Sequence, residues 1–131
     1  MSRKKTPRPT DAELAILRVL WRLGEATVRE VHDELHRKQL TGYTTVLKLM
    51  QIMTDKGLVE RNESQRAHVY RARASAEKTQ RQLVGDLLDR AFGGSAADLV
   101  VQALSTRKAS PEELAEIRRL LDEISMEGEP R

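Results

Sequence analysis

The chain contains no cysteine, which excludes disulfides, thiolate metal sites and cysteine nucleophiles and fits a reducing compartment. Aromatic side chains are also scarce. One Trp, one Phe and two Tyr among 131 residues leave little with which to build a stacking pocket for a planar effector. Seven glycines and four prolines are too few for a low-complexity chain. Apolar runs extend only a few residues, so no segment is expected to span a bilayer. No apolar stretch follows the basic opening, as a secretory signal would require. The expected location is therefore cytoplasmic.

What is present has the balance of a helix-rich globular protein, with 39% hydrophobic and 33% charged residues. The length suits one compact domain, or a small domain plus an oligomerisation segment. The net charge of +3 hides an asymmetry: residues 1–73 carry 15 Lys/Arg against 9 Asp/Glu, whereas residues 74–131 carry 8 against 11. The basic half is the candidate for a polyanionic partner.

Periodicity divides the chain further. Residues 1–9 form a basic, proline-punctuated arm without apolar spacing. In "TDAELAILRVLWRLG", Leu14, Leu17 and Trp21 recur at helical intervals, widened by Ile16 and Leu20, with Thr10 and Glu13 placed for a capping box and Gly24 as the stop. "ATVREVHDELHRK" repeats this grammar with Thr27, Glu30 and the apolar Val28, Val31 and Leu35. A third helix over "TGYTTVLKLMQIMTDKG" has Val46, Leu49, Met50 and Met53 inward and ends at Gly57. "LVER" and "HVYR" then form a hairpin around the polar "NESQ". A helix opened by Ser75 runs to about Phe92, with a seam of Leu83, Val84, Leu87, Leu88 and Ala91. After "GGS" comes a short helix over about 96–104. The last helix is started by Ser110, Pro111 and Glu113 and has the stripe Leu114, Ile117, Leu121 and Ile124.

The expected class is mainly α with a small β-hairpin wing. A winged helix-turn-helix domain, residues 10–74, is followed by a helical dimerisation domain, residues 75–125, and a tail, residues 126–131. The third helix is then a major-groove reader, which accounts for its unusual outward face. Thr44, Lys48, Gln51 and Asp55 project opposite the apolar stripe, with Thr41, Thr45 and Ile52 on one flank and Tyr43 and Leu47 on the other. Gln pairs with adenine, Lys with guanine and a Thr methyl with thymine, while Thr41, Tyr43 and the first amides of the helix suit a phosphate. The wing adds Arg61, Arg66, His68, Arg71 and Arg73, cations long enough to reach phosphates or the minor groove. The apolar seams of the later helices need a partner surface; a monomer could fold them onto its own wing, but a second copy supplies the surface while pairing two half-sites, and the dimer is the reading favoured.

"TDAELAILRVLWRLGEATVREVHDEL", "GYTTVLKLMQIMTDKGLVER" and "HVYRARAS" together resemble the BlaI/MecI-type penicillinase repressors, winged-helix regulators that also include copper-responsive members. The likeness spans about residues 8–124. It is most specific at "E-L-x-I-L-x-x-L-W", "Y-T-T-V" and "K-G-L-V". It implies a homodimeric repressor on a palindromic double-stranded DNA operator, with Tyr43, Thr44, Thr45, Lys48 and wing residues near Arg66 at the family's contact positions. It also implies a signal relayed by a membrane-embedded zinc protease that cuts the C-terminal domain. The matching segment here is "DLVVQALS", where Gln102 and Ala103 replace the asparagine and phenylalanine of the cut relatives. The copper-responsive members use a C-terminal cysteine cluster that this chain lacks.

Catalysis is not expected, and neither is a cofactor, a metal or a small-molecule substrate. "HDELH" sets His32 and His36 at i, i+4, but Asp33 stands where a zinc protease needs its glutamate, so the pair is expected on a solvated face. No Ser/His/Asp arrangement or phosphate-cradling glycine loop is present, and "FGGS" only separates helices. Two rival classes remain: a winged-helix protein-interaction module without DNA binding, and a small-ligand-responsive regulator. Binding that falls steeply with salt separates the DNA reader from the first.

Overall fold

A computed structural model describes residues 8–127. The basic arm therefore lies almost wholly outside the described residues, as do the last four residues of the tail. The chain order is α1 (Asp11–Leu23), β1 (Ala26–Thr27), α2 (Val28–His36), α3 (Tyr43–Lys56), β2 (Val59–Asn62), β3 (Val69–Ala72), α4 (Ala76–Ala91), α5 (Ala96–Thr106) and α6 (Pro111–Glu127). Both expected capping boxes form. Thr10 and Glu13 satisfy each other's amides at the start of α1, and Thr27 and Glu30 do so at the start of α2. The described residues fall into two compact units, divided between Val84 and Gly85. The division lies inside α4 rather than ahead of Ser75.

The first unit is a helix-turn-helix with a wing. β3 lies between β1 and β2 in an antiparallel sheet, with Val59 opposite Ala72, Asn62 opposite Val69, and Ala26 opposite Tyr70. The hairpin matches the sequence expectation. β1 was not anticipated, because two residues are too short to establish a period. Ile16, Leu17 and Leu20 of α1, Val31 of α2, Val46, Met50 and Met53 of α3, and Val59 and Tyr70 of the wing form one buried cluster. Each such large side chain contributes about 1.5–3 kcal/mol on burial. Leu49, placed inward by the period, is only half-buried.

Two joints orient α3. At its C-terminus Gly57 adopts φ +83°, a left-handed conformation that a side chain would strain. The Gly57 amide donates to the Thr54 carbonyl at 3.1 Å and the Leu58 amide to the Met53 carbonyl at 2.9 Å, the paired bonds of a Schellman closure. Leu58 is thereby turned into the core and the chain is launched into β2. The second joint is an ion pair: Lys56 Nζ donates to Glu13 Oε1 at 2.8 Å and Oε2 at 3.0 Å. It ties the end of α3 to the start of α1. Trp21 Nε1 donates to the Ala74 carbonyl at 2.9 Å, fastening the exit of the wing to α1. Thr79 is buried, and the opening turns of α4 belong to this unit.

The second unit holds the rest of α4 with α5 and α6. Ser95 caps α5 and Ser110 caps α6, each Oγ accepting an amide three residues on. α6 continues through Glu127, so residues 126 and 127, expected in the tail, are helical. Among the described residues, none after Thr79 is buried. Of the seam residues, Leu83, Leu88, Leu114 and Ile117 are half-buried, whereas Val84, Leu87, Ala91, Leu121 and Ile124 are exposed. Ile124 stands 65% and Met126 78% exposed.

Candidate nucleic-acid interface

α3 is capped unlike its neighbours. Its N-cap is Gly42, which offers no side-chain acceptor, so its first amides lack the capping partner that Thr10 and Thr27 supply to α1 and α2. Unsatisfied amides at the positive end of a helix dipole attract an anion. Thr44, Thr45, Lys48 and Gln51 follow, all exposed on the turns after this start. Among the described residues Lys48 makes no ion pair. Asp55 is exposed in the last turn, away from those amides.

Thr41, expected on a flank of the third helix, lies ahead of it. α3 begins at Tyr43, so Thr41 precedes the helix and its direction does not follow helical projection. Its hydroxyl donates to the Gln39 carbonyl at 3.3 Å, and its backbone lies against His36 Nδ1. Thr41 shapes the turn between α2 and α3.

Tyr43 is more firmly placed than its sequence position suggests. The Arg29 guanidinium sits 4.7 Å from the centre of its ring, a cation–π contact. The His32 ring meets Tyr43 edge-on at 5.9 Å and stacks on His36 at 5.2 Å. His32 is therefore not on a freely solvated face; its side chain is only 15% exposed. Arg29 was missed by the sequence reading. Its signal was present: a lone cation two residues after the Thr27 cap, on the side of α2 that faces the start of α3. Among the described residues no group of three or more His, Asp or Glu side chains is arranged to hold a metal ion.

The wing arginines differ from one another. Arg61 Nη2 lies 2.6 Å from Glu63, and its guanidinium is held charged first by its bond to the Tyr70 side chain and then by that carboxylate. Arg71 and Arg73 share Glu60, at 3.0 and 3.6 Å. Arg66, in the loop joining β2 and β3, is exposed and among the described residues has no ion pair. Exposed pairs contribute at most about 1 kcal/mol, so a phosphate can compete for Arg61 and Arg71. Arg66 needs no such exchange. His68 is exposed at the same end of the wing.

Gln102 and Ala103 lie inside α5, both exposed, and the Gln102 carbonyl accepts from Thr106 Oγ1 at 2.7 Å. A protease that takes an extended chain would have to unwind this helix.

Three helices, a hairpin wing and an uncapped, cation-bearing third helix define a winged helix-turn-helix protein. The model of the penicillinase repressor family matches residues 9–123, and the chain belongs to that family. It is 25% identical over 120 residues to the penicillinase repressor of Bacillus licheniformis, covering 92% of this chain and 94% of that one. It is 39% identical over 67 residues to the transcriptional regulator BlaI of Mycobacterium tuberculosis, about half of each chain. Among solved structures it resembles monomeric Bacillus licheniformis BlaI in complex with the blaP half-operator. That match has a TM-score of 0.50 at 25% identity and covers 57% of this chain and 92% of that one. The family is one of repressors, not enzymes. Among the described residues no helix is long and apolar enough to cross a membrane.

Proposed function

We propose that the chain is a sequence-specific transcriptional repressor of the cytoplasm, binding a palindromic DNA operator as a homodimer. One observation carries the DNA reading. The exposed face of α3 presents short hydrogen-bonding side chains and one unpaired lysine behind an uncapped N-terminus. Thr44, Thr45, Lys48 and Gln51 read base edges in the major groove. Tyr43, the first amides of α3 and Arg29 meet the phosphate at its entry. Arg66 at the end of the wing takes a flanking phosphate, and Arg61 and Arg71 follow by exchanging their carboxylates.

Dimerisation rests on the second unit. The described residues of this unit bury no side chain in the single chain, yet carry Leu87, Leu121, Ile124 and Met126 outward, so its helices lack a core of their own. A second copy completes it and places two α3 helices at a fixed spacing. Release from DNA would follow cutting or unwinding of α5 near Gln102 and Ala103 by a membrane-embedded zinc protease, which removes the paired state without altering the face of α3.

The test is binding to random genomic fragments followed by footprinting. A symmetric protected site and an affinity that falls steeply with salt are expected, since each neutralised phosphate releases counterions. Salt-insensitive binding to proteins, with no protected site, would overturn the reading in favour of an interaction module.

A further inference from the structure

The first unit carries a cleft that the DNA reading leaves unused. It has a volume of about 710 Å³ and lies between α1, the end of α2 and the opening turns of α4, within the range of small-molecule sites. Its apolar floor is Leu14, Trp21, Leu35 and Leu83, all half-buried. The indole nitrogen of Trp21 is already engaged by Ala74, so the ring is held in place with its polar atom satisfied.

The rim carries an excess of positive charge. Arg18, Arg22, Arg37 and Lys38 border the cleft against a single carboxylate, Glu34. Glu34 is shared by Arg22 at 2.7 Å and Arg37 at 3.8 Å. Among the described residues Arg18 and Lys38 make no ion pair. An apolar floor beside uncompensated cations complements a molecule with an apolar body and an anionic head. A neutral amphiphile would find no partner for its head group, and a cationic one would be repelled.

We propose that this cleft binds a small amphiphilic anion, a medium-chain carboxylate or its chemical like, with the chain on Trp21, Leu35 and Leu83 and the head group at Arg18 and Lys38. The site lies partly on α4, which runs on past Val84 into the second unit.

Trp21 is the only tryptophan, and bromine quenches indole emission only at close range. The full-length protein is titrated with 12-bromododecanoate below its micelle concentration. The expected result is saturable quenching of Trp21 with one ligand per chain by native mass spectrometry, competed by dodecanoate but not by dodecyl maltoside or dodecyltrimethylammonium. Arg18→Glu with Lys38→Glu, both on exposed residues, should weaken binding at least about tenfold. Ala15→Phe, which fills the cleft from an exposed position, should abolish quenching while the melting temperature is kept. The proposal is overturned by any of three results: no saturable quenching, equal competition by the neutral amphiphile, or unchanged binding in both variants. Binding to anionic vesicles without binding to monomeric dodecanoate would assign the rim to a membrane surface and overturn it equally. The titration does not involve DNA, so its outcome is independent of operator binding.

Discussion

The joint between Glu13 and Lys56 allows a demanding test of how α3 is held. The Glu13 side chain is 3% exposed and Lys56 33%. The carboxylate accepts from Lys56 twice and from the Thr10 amide at 2.9 Å. Burial alone pushes the Glu13 carboxyl up. The Lys56 hydrogen bonds and charge, with the Thr10 amide, outweigh it and hold the group below its ordinary value of 4.5. Lys56→Met removes the main opposing influence and leaves a buried carboxylate with only neutral donors. Breaking a fully buried pair in this way costs about 3–5 kcal/mol. Water reaches the lysine side of this pair, so about 2–3 kcal/mol is expected at neutral pH. For a unit of this size that lowers the melting temperature by about 10–20 °C.

Glu13→Gln should be milder, about 1 kcal/mol, because the amide oxygen still accepts from Thr10 and the freed ammonium turns to water. The double variant should melt near Glu13→Gln, since the buried charge is gone. The pH dependence should also change sign. In the parent protein the folded-state carboxyl is depressed, so the stability it contributes is present above about pH 4.5 and lost as pH falls through the folded value. In Lys56→Met burial raises the carboxyl above its unfolded value, so the stability it contributes is present at low pH and lost as pH rises through the folded value. Trp21 fluorescence reports melting of the first unit at fixed protein concentration. A Lys56→Met variant that melts with the parent, or above Glu13→Gln, would refute the reasoning.

Other consequences are open to direct measurement. Lys48→Ala should weaken operator binding by about 1–3 kcal/mol and relax base preference at one position in each half-site, read by electrophoretic shift on substituted operators. Arg66→Ala should weaken all duplexes alike and reduce the slope of log affinity against log salt by about one. Leu87→Asp, placing a charge in the exposed seam of α4, should give monomers by ultracentrifugation while the melting of the first unit is retained; an intact dimer would move the interface elsewhere. Arg29→Ala should release Tyr43 and lower affinity without altering base preference, and a changed preference would place Arg29 on a base instead.

The first unit was largely legible because its signals are local. Thr10 with Glu13 and Thr27 with Glu30 each fix a helix start within four residues, and Gly57 fixes an end. The apolar period assigns Val46, Met50 and Met53 to the core without reference to any distant residue. What escaped depended on contacts across the chain. β1 exists because Ala26 and Thr27 meet Tyr70 and Val69, and two residues carry no period of their own. The ties of Lys56 to Glu13 and Trp21 to Ala74 span 43 and 53 residues. Thr41 was misplaced because Gly42, not a threonine, is the N-cap of α3. His32 read as a surface residue on α2, and Arg29 carried no reading at all, because only the fold sets Tyr43 beside them. The Arg61 and Arg71 pairings arise from neighbours in the wing, and periodicity carries no information about those.

The places where this chain departs from its own rules are also the places with work to do. Two helices begin with complete capping boxes, while the third begins with a glycine that caps nothing. The first unit buries an apolar core, while among the described residues the second buries none. A sequence able to write "T-x-x-E" twice could have written it a third time at α3, and a stronger start would have stabilised the helix by about 1 kcal/mol. It would also have filled, with a threonine hydroxyl and a glutamate, the amides that the proposal assigns to a phosphate. In the second unit, polar residues at 121, 124 and 126 would make the lone chain more soluble and abolish the surface proposed to pair two readers. Stability and solubility are forgone at these two places, and under the proposed function each would offer an otherwise unmet bond or surface to a partner: a phosphate at α3, a second copy at α6.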